Sequence, residues 1–387
     1  MKKILLGGTA LVVAAAAAAM PASAAEVTSG LKLKISGFVA FETGLIVDSS
    51  DHNSFDRDYD MNSNGRLQFD ISNTTDSGLE YGARIRMNNA NRRNNVTVDR
   101  QYVYLKGSFG TITLGDAPPA AGDFGYFFAP DDILNSAGGY GDNLDGNYRY
   151  GGGSFFMLDP TDNTGLDKST GIKYSSPSFG GFIFAAQFIP VISTNKDLSN
   201  GTQGRKDLFN DGQLYENVIN GGIGYEGEFG GTSVKVRGSA AYGHGVDGHY
   251  DLEAYSFGGS FASGGITGSV NWVGVQSGFA QGTTDRNVNT ISAGLGYTWE
   301  AFNFGLGYAY TWAEKNNGLS GESSTGVDLK DNHVAALTVN YTLAPGLNTY
   351  GEVVYEIQNF RFGGGADGTK KTDWSQTTFL TGISVAF

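Results

Sequence analysis

The 387-residue sequence contains no cysteine, which excludes a disulfide scaffold, a thiolate metal site and a cysteine nucleophile. Positive charge is scarce: 26 Lys and Arg stand against 39 Asp and Glu, a net charge of −13. Nucleic acid is therefore not expected as a partner, because the chain has no basic surplus to neutralise a phosphate backbone. Beyond residue 24 no stretch approaches the roughly 18 consecutive apolar residues that a spanning helix requires. A chain of this kind that crosses a membrane must do so as a β-barrel. Proline is sparse, with 8 residues, and no G-X-Y period accompanies the 59 glycines, so neither collagen nor a low-complexity tail fits.

What is present points to strands. The 20 Tyr, 25 Phe and 4 Trp suit a pleated, half-buried surface, and the expectation is an all-β protein. The first 24 residues stand apart: Met1-Lys2-Lys3 is a basic start, Ile4 to Ala19 carries no charge, and Ala22-Ser23-Ala24 is a small-x-small cleavage site. We read 1–24 as a cleaved signal peptide and 25–387 as one exported domain whose charge, without Lys2 and Lys3, becomes −15.

The exported part alternates with period 2. Leu79, Tyr81, Ala83, Ile85 and Met87 alternate with Glu80, Gly82, Arg84 and Arg86; Phe304, Leu306, Tyr308, Tyr310 and Trp312 alternate with Gly305, Gly307, Ala309 and Thr311. These segments exceed the ~5–6 residues usual in soluble sheets and approach the ~9–11 needed to cross a bilayer at a tilt. Seven short connections rich in Gly, Ser, Asp and Pro, such as Thr75–Gly78 and Ala344–Leu347, alternate with eight longer polar ones, near 47–64, 88–97, 116–168, 189–216, 243–252, 277–287, 313–332 and 361–374. The pattern predicts a sixteen-stranded antiparallel transmembrane β-barrel, with short turns on one side and long loops on the other. Aromatic residues near strand ends, among them Tyr297, Trp299, Phe302, Tyr308, Tyr310 and Trp312, are candidates for interfacial girdles.

Charge is distributed unevenly. The third long connection, 116–168, holds Asp116, Asp123, Asp131, Asp132, Asp142, Asp145, Asp159, Asp162 and Asp167 against Arg149 and Lys168, a net −7. Such a loop either stays solvated at the surface or rims a channel. Lys32, Lys34, Arg66, Arg84, Arg86, Arg100, Lys106, Lys173, Lys235 and Arg237 fall on the polar face of their strands. Charges on the lipid face cost roughly 2–4 kcal/mol each near the midplane, so these bases should face the lumen.

Three segments carry the resemblance to a known family: Leu31–Gly37 (LKLKISG), Gly78–Arg86 (GLEYGARIR) and above all Tyr102–Gly115 (YVYLKGSFGTITLG) followed by a long loop. With Tyr174–Phe182 and the terminal Phe387, they resemble the general porins of Gram-negative bacteria, in particular the alphaproteobacterial porin group. The resemblance implies a homotrimer of outer-membrane barrels whose third loop folds into the lumen. It also implies that Phe387 is the signal read by the outer-membrane assembly machinery, and that lipid and lipopolysaccharide surround the barrel. One departure is Asp116, which stands where family members often carry a base. The function implied is passive diffusion of small hydrophilic solutes and ions, with the loop acids facing the wall bases across the narrowest zone and a mild cation preference following from the −15. A channel with a preferred solute, and a structural or adhesive surface barrel, are the alternatives.

Other motifs carry less. Gly222–Gly227 fits G-x-G-x-x-G, but it lies in a strand and no helix follows to hold a phosphate. Asp56, Asp58 and Asp60 have calcium-like spacing, but Met61 stands where an EF-hand needs Gly; the readings are a solvated loop or a loop-bound divalent cation. His52, His244, His249 and His333 all fall in or beside loops. With Asp247 and Asp251 beside His244 and His249 but no nucleophile elbow or zinc motif, catalysis is not expected, and no other cofactor is.

Overall fold

The computed structural model describes residues 30–48, 59–90, 97–125, 166, 169–193, 213–246, 248–277, 287–314, 327–362 and 374–387. The leader 1–24, Asp56, Asp58, His52, Asp131, Asp132, Asp142 and Asp145 lie outside the described residues. No helix among the described residues is long and apolar enough to cross a membrane.

Sixteen strands form one closed barrel in which each pairs antiparallel with its sequence neighbours. In chain order these are β1 (Lys32–Asp48), β2 (Tyr59–Thr74), β3 (Glu80–Ala90), β4 (Thr97–Gly107), β5 (Gly110–Asp116), β6 (Gly171–Ser175), β7 (Phe182–Ser193) and β8 (Gln213–Phe229). The second half comprises β9 (Thr232–Gly245), β10 (Leu252–Ser263), β11 (Ile266–Ser277), β12 (Val288–Trp299), β13 (Phe302–Ala313), β14 (Val327–Ala344), β15 (Leu347–Phe362) and β16 (Trp374–Ala386). β1 closes on β16 from Phe38↔Ala386 to Asp48↔Gln376, and Gly37 and Phe387 exchange backbone hydrogen bonds of 2.9 and 3.0 Å at the seam. Closure satisfies every strand edge inside the sheet, the condition for a β structure in hydrocarbon.

The period-2 pattern sorts the two faces. Outward positions are apolar and exposed: Phe257 is 61% exposed, Leu337 58% and Leu295 56%. Their neighbours point inward and are small or polar, as with Asn271, Ser292 and Thr338. All seven short turns fall where the glycines and acids predict. At Gly230 and Gly231 φ is +58° and +80°, left-handed backbone that a residue with a Cβ would adopt only with strain.

The long connections are shorter than hydropathy suggests. β2 begins at Tyr59, β7 continues to Ser193 and β14 begins at Val327, because these strands go on pairing with their neighbours into segments whose interspersed polar residues read as loop. His333 consequently lies within β14 rather than in a loop, and Asp60, Met61 and Asn62 lie within β2, so the calcium-like run is not a continuous loop. Aromatic contacts sit at both ends of β13. Phe302 stacks on Tyr341 with ring centres 4.5 Å apart at the turn end, and Tyr310 stacks on Trp312 at 5.4 Å near the loop end.

Candidate functional site

The third long connection leaves the wall after Asp116 and turns inward. Gly115 has φ +124°, and a Cβ there would lie 2.5 Å from the Gln101 carbonyl oxygen, so only glycine fits the bend. The chain then forms a short helix, α1 (Ala120–Gly125). Its leading amides are held by the opposite wall: Ala120 N donates to Gln187 Oε1 at 3.0 Å and Ala121 N to Asn220 Oδ1 at 2.9 Å. These side chains supply partners to helix N-terminal donors that would otherwise be orphaned.

Register shows that the wall meeting α1 is the inner one. Phe184 and Ile223 are directly opposite and exposed on the outside, which turns Gln187, Asn220, Gly222 and Gly224 inward. Phe124 is buried on that surface: a Cβ at Gly222 would sit 2.5 Å from Phe124 Cβ, and one at Gly224 would sit 3.3 Å from its Cδ1. The glycines of the rejected nucleotide motif therefore make the seat for an aromatic ring. Burying a Phe contributes about 1.5–3 kcal/mol, and each neutral hydrogen bond about 1 kcal/mol.

Charge completes the attachment. Lys173, inward on β6 and 7% exposed, donates to the Pro118 carbonyl at 3.0 Å and forms an ion pair with Asp123. Arg237, inward on β9, donates to the Asp123 carbonyl at 3.1 Å and pairs with Glu226. Burial against the wall raises the Asp123 carboxyl above its ordinary value, and Lys173 and then Arg237 oppose that rise. At the other end of the connection, Leu166 is buried among Ile189, Val218, Leu252 and Val273, inward residues near the loop ends of β7, β8, β10 and β11.

Opposite this apolar sector stands a charged one on β2–β4. Arg66, Arg84, Arg86 and Arg100 occupy inward positions of adjacent strands, with Gln68, Arg86 and Arg100 in one row. Arg84 Nε lies 2.6 Å from Asp70 Oδ1 and its guanidinium lies over the Tyr102 ring at 5.8 Å; Arg66 Nε donates to Asn88 Oδ1 at 2.8 Å and lies over Phe38 at 5.5 Å. Lys32 and Lys34 are exposed at the turn end of β1, Lys106 stands 3.7 Å from Glu80, and Lys235 faces Glu226 in register. All ten bases thus sit at inward positions, but only the four arginines form a cluster; Lys173 and Arg237 hold the third connection instead.

The loop acids divide. Asp123 is an anchor, and Asp116 is buried at the end of β5, in register with Gln101, where its carboxylate accepts the Thr170 hydroxyl. Composition missed a third group: Glu42, Glu352 and Glu356, inward and buried on β1 and β15, with Tyr350 donating to Glu42 at 2.8 Å and Asn332 to Glu356 at 3.1 Å. Their alternation with Gly351, Val353 and Tyr355 carried the signal. His244 is 2.9 Å from Asp251, while His249 turns to the Val246 carbonyl, so the two imidazoles do not share one site. Among the described residues no three His, Cys, Asp or Glu side chains could hold a metal ion.

The family model described as Gram-negative porin matches residues 9–359. An anion-selective porin from Comamonas acidovorans superposes with TM-score 0.60 at 16% identity, covering 92% of this chain and 100% of that one. OmpT of Vibrio cholerae in its trimer form gives TM-score 0.60 at 14% identity, covering 93% and 100%. A mutant of the Rh. blastica porin gives 0.55 at 12% identity, covering 92% and 100%. A search of curated proteins finds no match.

Proposed function

The chain belongs to the Gram-negative porin family and is an outer-membrane β-barrel, and from that premise we propose that it is a passive diffusion pore for small hydrophilic solutes and ions. The observation that carries this reading is the docking of Ala117–Gly125 on the inner face of β6–β9, which narrows one side of the barrel while the inward Arg66, Arg84 and Arg86 of β2 and β3 remain half-exposed and Arg100 is buried beside them. A solute would pass along that arginine wall. Transverse charge between the wall and the third connection favours hydrated, dipolar solutes over apolar ones, which must shed oriented water, so selectivity follows pore width and charge rather than a tight site. Asp131, Asp132, Asp142 and Asp145 are the acids we assign to the rim, with Asp123 fixing its base.

We further assign a mild cation preference. Four inward bases already face carboxylates, in Arg84–Asp70, Lys106–Glu80, Lys173–Asp123 and Arg237–Glu226. Against the other six inward bases, Lys32, Lys34, Arg66, Arg86, Arg100 and Lys235, stand the inward Glu42, Glu352 and Glu356 and the net −7 of the third connection, of which Asp123 is already paired, so we assign the lumen a small negative balance. The anion-selective neighbour shares the fold at 16% identity, so its side chains need not set the same sign. A homotrimer, as in the trimer form of one structural neighbour, a cleaved leader 1–24, and Phe387 as the assembly signal complete the reading. Planar-bilayer recording tests it: large, nearly ohmic steps in groups of three and a cation-favouring reversal potential are expected. Saturable block by one solute would assign a preferred ligand instead, absence of conductance would make the barrel structural, and an anion-favouring potential would overturn the charge assignment.

A further inference from the structure

The inner wall beside the third connection carries an aromatic ring laid flat on the backbone. Tyr104 points inward on β4, next to Val103, which is 51% exposed on the outer face, and it lies directly opposite Gly82 on β3. A Cβ at Gly82 would lie 2.7 Å from both Cε1 and Cζ of that ring and 2.3 Å from the Ile71 carbonyl oxygen, so the ring rests on the strand where only glycine leaves room for it. The Tyr104 hydroxyl donates to Glu80 Oε1 at 2.9 Å, which fixes the ring in that plane. One face is therefore spent on β3, and the other, half-exposed, is turned to the lumen. The neighbouring Tyr102 does not offer the same face, because the Arg84 guanidinium lies over it at 5.8 Å.

Position and charge bring this ring into contact with passing solutes. Lys32, Ser72, Gly82, Tyr104, Thr113 and Lys173 form one inward row across β1 to β6. Lys173, which grips Pro118, is two strands from Tyr104, about 10 Å away at the spacing of paired strands. A solute squeezed past the docked third connection thus slides over the ring. The charges around it are already matched, Arg84 with Asp70 at 2.6 Å and Lys106 with Glu80 at 3.7 Å. These four side chains keep between 27% and 58% exposure, so they offer donors and acceptors to neutral hydroxyls without a net charge to hold an ion.

Resting on the diffusion-pore reading, we propose that Tyr104 is a stacking platform for cyclic sugars and so sets a preference among uncharged solutes of equal size. A pyranose has an apolar face of axial C–H groups and an edge of hydroxyls. The C–H face complements the negative face of the aromatic quadrupole, and the edge hydroxyls meet the paired charges of Arg84, Asp70, Glu80 and Lys106. An acyclic polyol must freeze several bonds to present such a face, at a cost in conformational entropy. One open ring face makes a shallow contact. The sugar partitions into the constriction and leaves it again, and the channel stays a diffusion pore.

The test reconstitutes the full barrel in liposomes and compares the efflux of radiolabelled D-glucose, mannitol and D-gluconate, which match in carbon number and nearly in size. D-glucose should leave about threefold faster than mannitol, equivalent to about 0.7 kcal/mol at 1.4 kcal/mol per tenfold. Tyr104→Leu, which keeps bulk but loses the flat ring, should make the two rates equal in a barrel of normal heat-modifiable mobility, with mannitol correcting for any change in pore width. Tyr104→Phe should retain most of the preference, because the ring and not the hydroxyl makes the contact. Equal efflux of D-glucose and mannitol from the unsubstituted barrel, a preference that survives Tyr104→Leu, or one lost equally in Tyr104→Phe would each overturn this inference and leave the diffusion pore standing. So would D-gluconate leaving fastest, which would make the wall an anion site instead. No efflux of any of the three solutes would overturn the pore itself and the inference with it.

Discussion

Replacing Lys173 by Met keeps the stem that lies along β6 and removes the charge that ties the third connection to the wall. Two interactions are lost: the charge-assisted hydrogen bond to the Pro118 carbonyl at 3.0 Å and the ion pair with Asp123. The first is worth about 1.5–3 kcal/mol. The second is discounted to under about 1 kcal/mol, because the Asp123 side chain is 38% exposed and solvent screens it. Together about 2–3 kcal/mol of docking free energy is lost, which raises the undocked-to-docked ratio about 30- to 150-fold at 1.4 kcal/mol per tenfold. The Gln187 and Asn220 bonds and the Phe124 seat remain, so Ala117–Gly125 stays on the wall most of the time but leaves it far more often. Single-channel recording should show a wild-type mean current with markedly higher open-channel noise, and Lys173→Arg should restore quiet records. Asp123→Asn should give a smaller effect in the same direction, with the double variant less than additive because the two side chains share one interaction. Quiet records from Lys173→Met in a barrel of normal heat-modifiable mobility, or strictly additive effects of the two substitutions, would refute the anchor.

Further expectations follow from the same contacts. Gly222→Ala places a Cβ 2.5 Å from Phe124 Cβ and 2.7 Å from the Gly238 carbonyl oxygen, an overpacking worth about 1–3 kcal/mol. It should raise current noise, and Phe124→Ala in the same chain should relieve only part of the effect, because the carbonyl remains. Arg84→Gln removes the partner of Asp70 in the open part of the lumen. The cation-to-anion permeability ratio from reversal potentials should rise, while stability in urea falls by no more than about 1 kcal/mol because both side chains are partly exposed. Asp131→Asn with Asp132→Asn should lower that ratio, and an unchanged value would remove these two acids from the rim.

Strand number, connectivity and facing were legible in the sequence because each rests on a local signal. Alternation such as Leu79 to Met87 fixes which side chains point out, and a turn such as Gly230-Gly231 fixes where the chain reverses. The site was legible only in part. That Lys173 and Arg237 point inward follows from parity, but that they grip Pro118 and Asp123 depends on contacts with residues 55 and 114 positions upstream, which no local period encodes. The same reason hid Gln187 and Asn220, two ordinary inward amides until α1 arrives above them. Asp116 and Asp123 looked alike as acids of one loop, yet one is fixed to Thr170 beside β5 and the other to Lys173.

The many glycines and the acidic balance are linked through the inside of the barrel. A lumen lined uniformly by charge would offer the third connection no apolar place to dock. Here the inward side is split: Gly222, Gly224, Ala185, Ile189, Val218 and Val273 form a sector of small and apolar residues on β7–β11, and Arg66, Arg84, Arg86 and Arg100 form a charged one on β2–β4. Glycine serves the first sector, since a residue with a side chain at 222 would occupy the volume that Phe124 fills. The residues that seat the connection are thus separate from the arginines of β2–β4, so that substitutions in the first sector should change noise and those in the second should change selectivity.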